Sequence, residues 1–393
     1  MEQESIIYLD NAATTWPKPD SVYDFMCEFY RNNGVNPGRS GFDAAIDAGN
    51  MIENARKVLT DFFNGDTPER TTFSHNATDS LNMVIQGLVT EGSHVISTCL
   101  EHNSVLRPLN TLERDGICEV TWIPFNEAGF IDPDDIKNAI KDNTSLVVVN
   151  HASNVIGTVQ DVAAIGKIVR DTKAVFVIDA SQTAGVVPIN MKEMEIDVLV
   201  ATGHKALMGP TGTGVTVVRN GIDIRMTRSG GTGVRSAFPF HLDEYPYHLE
   251  CGTQNLMGIA GLWQGQKWLK ERGGPMEIWN EEMVLAQRLV DGLKDIDRVK
   301  LYCCESMDNH IATISLNIDK MESMNVGIML DVDHNIAVRT GLQCAPKAHE
   351  GIGTIDIHGT VRFSIGAFNQ MSEIDAAIAG IDEIAKMGIT DNV

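Results

Sequence analysis

A chain of 393 residues with 43% hydrophobic and 21% charged content has the composition of a folded globular protein and is too long for one ordinary core, so two domains are expected. Its 31 basic and 53 acidic residues give a net charge of −22, which opposes nucleic-acid phosphates and anionic lipid and argues against DNA, RNA or membrane partners. No run approaches the roughly 18 apolar residues of a membrane span, and Met1-Glu2-Gln3-Glu4-Ser5 carries neither the basic nor the apolar stretch of an export signal, so a cytoplasmic location is expected.

In chain order, Ile6-Ile7-Tyr8-Leu9 leads into Asp10-Asn11-Ala12-Ala13-Thr14-Thr15 and then Trp16-Pro17-Lys18-Pro19, a turn whose prolines keep any helix from crossing it. Helices are predicted over 21–31 and 42–63, separated by a loop over 32–41 rich in Asn and Gly. Short apolar strands are then predicted over 71–73, 94–97, 119–124, 146–150, 175–179, 198–201 and 215–218. Helices beginning at Asp79, Ser104, Asp132 and Asp161 separate the first five of them. This alternation indicates an α/β domain, a mainly parallel mixed sheet flanked by helices. An irregular stretch over 228–253 follows, long enough to be functional or an interface loop. Beyond it, helices over 256–270 and 276–293, strands over 311–317, 337–341 and 360–365, and a closing amphipathic helix over 372–386 suggest a smaller α+β domain. The expected division is a large domain over 20–255 and a small one formed by 1–19 with 256–393. The seven cysteines, Cys27, Cys99, Cys118, Cys251, Cys303, Cys304 and Cys344, include no Cys-x-x-Cys pair, and no metal site is expected.

Ligands of open α/β sheets sit outside the carboxyl ends of the strands. Those ends carry His75-Asn76-Ala77-Thr78, Glu101-His102-Asn103, His151-Ala152-Ser153-Asn154, Asp179-Ala180-Ser181-Gln182 and Thr202-Gly203-His204-Lys205. Each cluster alone reads better as a helix cap or a satisfied core histidine, and Lys205 equally well as a turn lysine. Five polar clusters on one predicted sheet edge point instead to a shared site. A lysine between His204 and a glycine-rich turn is placed for partial desolvation, which makes an amine nucleophile. The segment Gly209-Pro210-Thr211-Gly212-Thr213-Gly214 matches neither nucleotide-binding glycine pattern.

In order and spacing, from Asp10-Asn11-Ala12-Ala13 to Arg362, these motifs resemble the class V branch of the fold-type I pyridoxal-phosphate enzymes, and within it the group II cysteine desulfurases and selenocysteine lyases. The resemblance implies that Lys205 bonds to the cofactor aldehyde, Asp179 pairs with the pyridine nitrogen, and Gln182 reaches the ring hydroxyl. Asn154 would lie at the same edge, and His102 would stack over the ring and exchange protons. Ala77, Thr78, Thr202 and His204 would hold the phosphate, the first two as amides opening a helix. Thr253, in Cys251-Gly252-Thr253-Gln254-Asn255, would reach the phosphate of a partner, which implies a homodimer. Arg339-Thr340-Gly341-Leu342-Gln343-Cys344 looks like the active-cysteine loop, with Cys344 as the nucleophile. Arg362 would clamp the substrate carboxylate, with Asn11, Ala12, Asn154 and Arg339 also at the substrate. The implied reaction takes L-cysteine or selenocysteine to alanine and leaves a persulfide on Cys344 for an acceptor protein.

Three positions depart from the family pattern. Leu342-Gln343 replaces two histidines before the cysteine, Gly38 precedes Arg39 where a histidine is frequent, and Ala77-Thr78-Asp79 does not end in Glu or a second Thr. Two other readings stay open. One is a class V aminotransferase or lyase on another amino acid, with Cys344 an ordinary loop thiol; the other is a scaffold for a sulfur-trafficking partner.

Overall fold

The computed structural model describes residues 6–37 and 41–387, so the export-signal reading of Met1 to Ser5 and the departure at Gly38 and Arg39 lie outside the described residues. Strand β1 (Ile7–Tyr8) precedes helices α1 (Asp20–Asn33) and α2 (Asp43–Phe62). The alternating region contains β2 (Thr71–Ser74), α3 (Ala77–Leu88), β3 (Ser93–Thr98), α4 (Asn103–Arg114), β4 (Cys118–Ile123) and α5 (Pro133–Ala139). It continues with β5 (Thr144–Asn150), α6 (Val162–Arg170), β6 (Val175–Asp179), β7 (Val198–Thr202) and β8 (Gly214–Val218).

These strands form one sheet in the order β2-β8-β7-β6-β5-β3-β4. Strands β7, β6, β5, β3 and β4 run parallel, while β8 runs against both β7 and β2. The apolar run Leu146-Val147-Val148-Val149 of β5 is buried throughout, as a central strand covered on both faces requires. The chain leaves β3 for β4 on one side and returns to β5 on the other, so a topological switch lies between β3 and β5. Crevices open at such points beyond the carboxyl ends of the strands.

The rest of the chain contributes α7 (Leu256–Glu271), α8 (Pro275–Leu293), β9 (Val299–Tyr302), β10 (Thr313–Ile318) and α9 (Ser323–His334). It ends with β11 (Ile336–Ala337), β12 (Arg339–Gly341), α10 (Pro346–Gly351), β13 (Thr360–Ser364) and α11 (Met371–Met387). A second, antiparallel sheet has the order β12-β13-β10-β9. The single strand expected over 337–341 is two pieces. Strand β11 pairs in parallel with β1, and after Val338 the chain changes partner so that β12 pairs with β13. Strand β9 and helix α9 are additions to the elements expected from the sequence.

Helix α7 buries Leu256, Ile259, Leu262 and Leu269 in the core under the large sheet, and α8 runs from that core at Ile278 to the second core at Leu289 and Leu293. Among the described residues no helix is long and apolar enough to cross a membrane.

One buried ion pair ties the irregular stretch to the large core. Arg56 of α2 meets Glu250 through Nη1–Oε1 at 2.8 Å and Nη2–Oε2 at 3.2 Å, and the Phe73 amide donates to Glu250 Oε1 at 2.7 Å. Removing one partner of a buried pair strands the other charge, which costs about 3–5 kcal/mol. Glu250→Ala is therefore expected to lower unfolding stability by about that amount, measured by denaturant titration; a loss below about 1 kcal/mol, the value of a surface pair, would contradict it.

Candidate active site

The strand ends converge on a cavity of about 360 Å³. Its wall includes Ala12, Ala77, Thr78, His102, Asn154, Asp179, Gln182, Thr202, His204, Lys205, Arg339, Cys344 and Arg362. Of the residues expected at the site from the sequence, only Asn11 and Thr253 are not on this wall. Asn11 is committed elsewhere, its Nδ2 donating to the Ser364 carbonyl at 3.1 Å and to Asn369 Oδ1 at 3.2 Å while its Oδ1 accepts from the Trp16 amide at 3.3 Å. Thr253 is exposed.

Local sequence explains how each group is presented. Helix α3 opens at the cavity because Asn76 caps it, accepting from the Asp79 amide at 2.9 Å, while Asp79 accepts from the His75 amide at 3.1 Å. Asp79 thus closes the capping pair in place of the Glu or Thr expected from the family. The first turn of α3 brings Ala77 and Thr78, with the positive end of a 12-residue helix, to the cavity. His102 caps α4 by accepting from the Ser104 amide on Nδ1 at 3.1 Å, which places the proton of the neutral ring on Nε2. Burial and nearby Lys205 pull its pKa down to about 4. Burial likewise holds His204 at about 4, so both rings are neutral near pH 7.

Lys205 follows β7 on a turn held by Gly185, whose backbone φ of +99° and approach to the Ala206 carbonyl exclude a side chain: a Cβ there would lie 2.3 Å from that oxygen. Burial lowers the Lys205 pKa to about 8 and nearby Asp179 partly opposes it, so an appreciable fraction is free amine near neutrality. Asp179 ends β6 and accepts from the Ser181 amide at 2.9 Å. Gln182 donates to the Ala12 carbonyl at 3.1 Å, binding the N-terminal segment to the rim.

The second sheet contributes the groups that face these strand ends. Arg362 of β13 is 3% exposed, donating from Nη1 to the Asn154 carbonyl at 2.9 Å and from Nη2 to Asp10 Oδ1 at 2.8 Å. Cys344 is exposed, in the turn between β12 and α10, and both Gln343 and Cys344 have positive φ, of 40° and 58°. That unusual backbone is pinned. Gln343 Nε2 donates to the Thr360 carbonyl at 3.1 Å, its Oε1 lies 2.8 Å from His349 Nε2, and its own carbonyl accepts from Asn154 Nδ2 at 2.7 Å. The residue that replaces a family histidine therefore anchors the cysteine loop through its side chain. Sequence reasoning missed three supports, Asp10, Gln343 and His349. Asp10 alone had a visible signal, a charge directly after a short apolar run.

Three buried polar atoms of wall residues lack partners among the described residues: Asn154 Oδ1, Ser181 Oγ and Arg362 Nε. Such atoms are costly unless a ligand or water completes them. A carboxylate, a lysine of lowered basicity, a helix N-terminus and these unpartnered atoms around one cavity could hold an anionic ligand and one that reacts with an amine.

A smaller cavity of about 30 Å³ lies behind Lys205, lined also by Asn11, Thr15, Gln182 and Glu282. The Glu282 carboxyl on α8 makes no hydrogen bond or ion pair among the described residues, and burial pushes it up to about 8 from an ordinary 4.5. The folded chain keeps this proton across that window while the unfolded chain releases it, so the contribution to stability is lost as pH rises. Glu282→Gln should therefore gain on the wild type by on the order of 1 kcal/mol per pH unit between about pH 5 and 8, followed by denaturant unfolding. A difference that does not change with pH would contradict this.

The family model described as Aminotransferase class-V matches residues 7–377. A Methanothermobacter thermautotrophicus protein named "Probable cysteine desulfurase" is 32% identical over 387 residues, covering 97% of this chain and 95% of the relative. "Cysteine desulfurase IscS" of Mannheimia succiniciproducens is 32% identical, with 95% of this chain and 91% of the relative covered. The solved apo structure of cysteine desulfurase from Thermococcus onnurineus NA1 superposes with a TM-score of 0.90 at 32% identity, covering 97% of this chain and 95% of that one.

Proposed function

The chain belongs to the aminotransferase class-V family, and from that premise we propose that it is a pyridoxal-phosphate-dependent cysteine desulfurase, converting L-cysteine to L-alanine and holding the sulfur as a persulfide on Cys344. One observation carries this reading: Cys344, from the turn that follows β12, shares a cavity wall with Lys205, Asp179 and Arg362. An aminotransferase has no use for a thiol at that place.

The residues fit the cofactor. Lys205 would hold its aldehyde carbon, Asp179 its pyridine nitrogen, Gln182 its ring hydroxyl, and Ala77, Thr78, Thr202 and His204 its phosphate, with His102 over the ring. When bound, pyridoxal phosphate withdraws electrons from the substrate's Cα and Cβ, making the Cα proton acidic and the Cβ–S bond weaker.

The chain's own groups do the rest. Arg362 holds the substrate carboxylate, its unpartnered Nε supplying a donor that neither Asn154 nor Asp10 takes up. Lys205 Nζ, near pKa 8, is available as free amine to take the Cα proton. His102 presents Nε2–H on the same wall and steadies proton positions as a neutral ring. The Cys344 thiolate forms an S–S bond to the substrate sulfur while the Cβ–S bond breaks, its electron pair staying with carbon. Cβ takes a proton, so alanine leaves and the persulfide remains for an acceptor thiol. Selenocysteine would fit the same contacts. Thr253, exposed and off the wall of its own chain, would reach the phosphate cup of a second copy in a homodimer.

Holoenzyme given L-cysteine and a reductant should release sulfide and alanine in equal amounts. A keto acid without sulfide would overturn the reading in favour of an aminotransferase.

A further inference from the structure

Two arginines converge on one buried carboxylate at the substrate end of the cavity. Asp10, 6% exposed and two residues beyond β1, accepts from Arg362 on Oδ1 at 2.8 Å and meets Arg339 through Oδ2 at 2.7 Å. Arg339 and Arg362 are direct cross-strand neighbours on β12 and β13, and both are on the cavity wall, whereas Asp10 lies behind them. Gly359 permits this close pairing, since a Cβ at that position would lie 2.0 Å from the Gly341 carbonyl oxygen.

Two guanidinium groups directly opposite each other in a sheet repel, and burial of Arg362 sharpens that repulsion. One carboxylate against two cations leaves a single positive charge facing the ligand. The other charged groups on the wall, Lys205 and Asp179, are close enough to influence each other and lie on the strand-end side of the cavity.

We propose that Asp10 sets the charge of the substrate-carboxylate clamp, limiting it to one anionic group, and so selects amino acids with one carboxylate and an uncharged side chain over dicarboxylic ones. This rests on the reading of Arg362 as the clamp. Asp10 acts only through the two arginines and is a positioning residue. Removing its charge leaves two positive groups facing the cavity, with Arg339, whose side chain is half exposed, released to pair with a second carboxylate.

The test is calorimetric binding of L-alanine and L-aspartate to the holoenzyme, which needs no turnover. Wild type should prefer alanine. Asp10→Asn should raise aspartate affinity relative to alanine by about tenfold, the effect of one unbalanced charge a few ångströms away. Arg339→Gln, which leaves Asp10 in place to neutralise Arg362, should weaken both ligands and aspartate more, so the prediction is still tested if Asp10→Asn does not fold. The Asp10→Asn/Arg339→Gln double variant restores the single charge and should return the wild-type preference, a rescue that a merely structural role would not give. Unchanged preference in Asp10→Asn, or in Arg339→Gln where that alone folds, would overturn the proposal. Arg362→Ala with unaltered alanine affinity would instead overturn the clamp on which it rests.

Discussion

Replacing Lys205 by alanine should abolish turnover of L-cysteine, by about 10³-fold or more, and remove the visible absorbance of the cofactor-loaded protein. The magnitude follows from two roles held by one amine. A positioned acid–base group contributes roughly 10²–10⁴-fold, and loss of the covalent anchor of the cofactor compounds it. The structure makes both roles physical. Lys205 follows β7 with its basicity lowered to about 8 by burial, and it shares the cavity wall with Asp179. Lys205→Arg would not rescue, because a guanidinium stays protonated and offers no nucleophile. Retention of the absorbance with normal turnover in Lys205→Ala would remove the lysine from the reaction.

Replacing Cys344 by serine should reduce sulfide formation by about 10²-fold or more while leaving cofactor absorbance intact, since no cofactor contact is assigned to that residue. The split separates the two residues: Lys205 is needed for loading and chemistry, Cys344 for sulfur transfer alone. Alanine formation should fall in parallel with sulfide. The positive φ at Gln343 and Cys344 and the hydrogen bonds from Gln343 to His349 and Thr360 indicate a loop held in one conformation over the cavity. If the serine variant kept full activity, Cys344 would be an ordinary loop thiol, and a lyase or aminotransferase reading would stand.

The α/β half and the strand-end clusters are legible in the sequence because each buried strand is a short apolar run followed at once by polar residues, and the parallel topology brings those ends to one edge. Helix α9 was not legible for a reason visible in its packing. Val326 and Leu330 are buried while Met324, Ile328 and Val332 are exposed, so apolar residues lie on both faces and leave no helical periodicity. The break at Val338 is equally invisible, because alternation along a strand does not say which partner it pairs with. At the site, residue types identified the groups that face the ligand, but not those that hold them. Asp10 is recognisable as a charge counterweight only once β12 and β13 set Arg339 beside Arg362, and Gln343 is recognisable as an anchor only once His349 and Thr360 lie beside it. Asn11 shows the converse: it stands in the motif, yet its side chain holds Ser364 and Asn369 instead of facing the cavity.

The most direct measurement is a single turnover without reductant. Holoenzyme is mixed with one equivalent of L-cysteine, and the peptide containing Cys344 is examined by mass spectrometry. The account predicts a mass gain of one sulfur atom on Cys344 together with one equivalent of alanine, and no gain in Cys344→Ser. Alanine formed with Cys344 unmodified, or added sulfur on another cysteine alone, would contradict it.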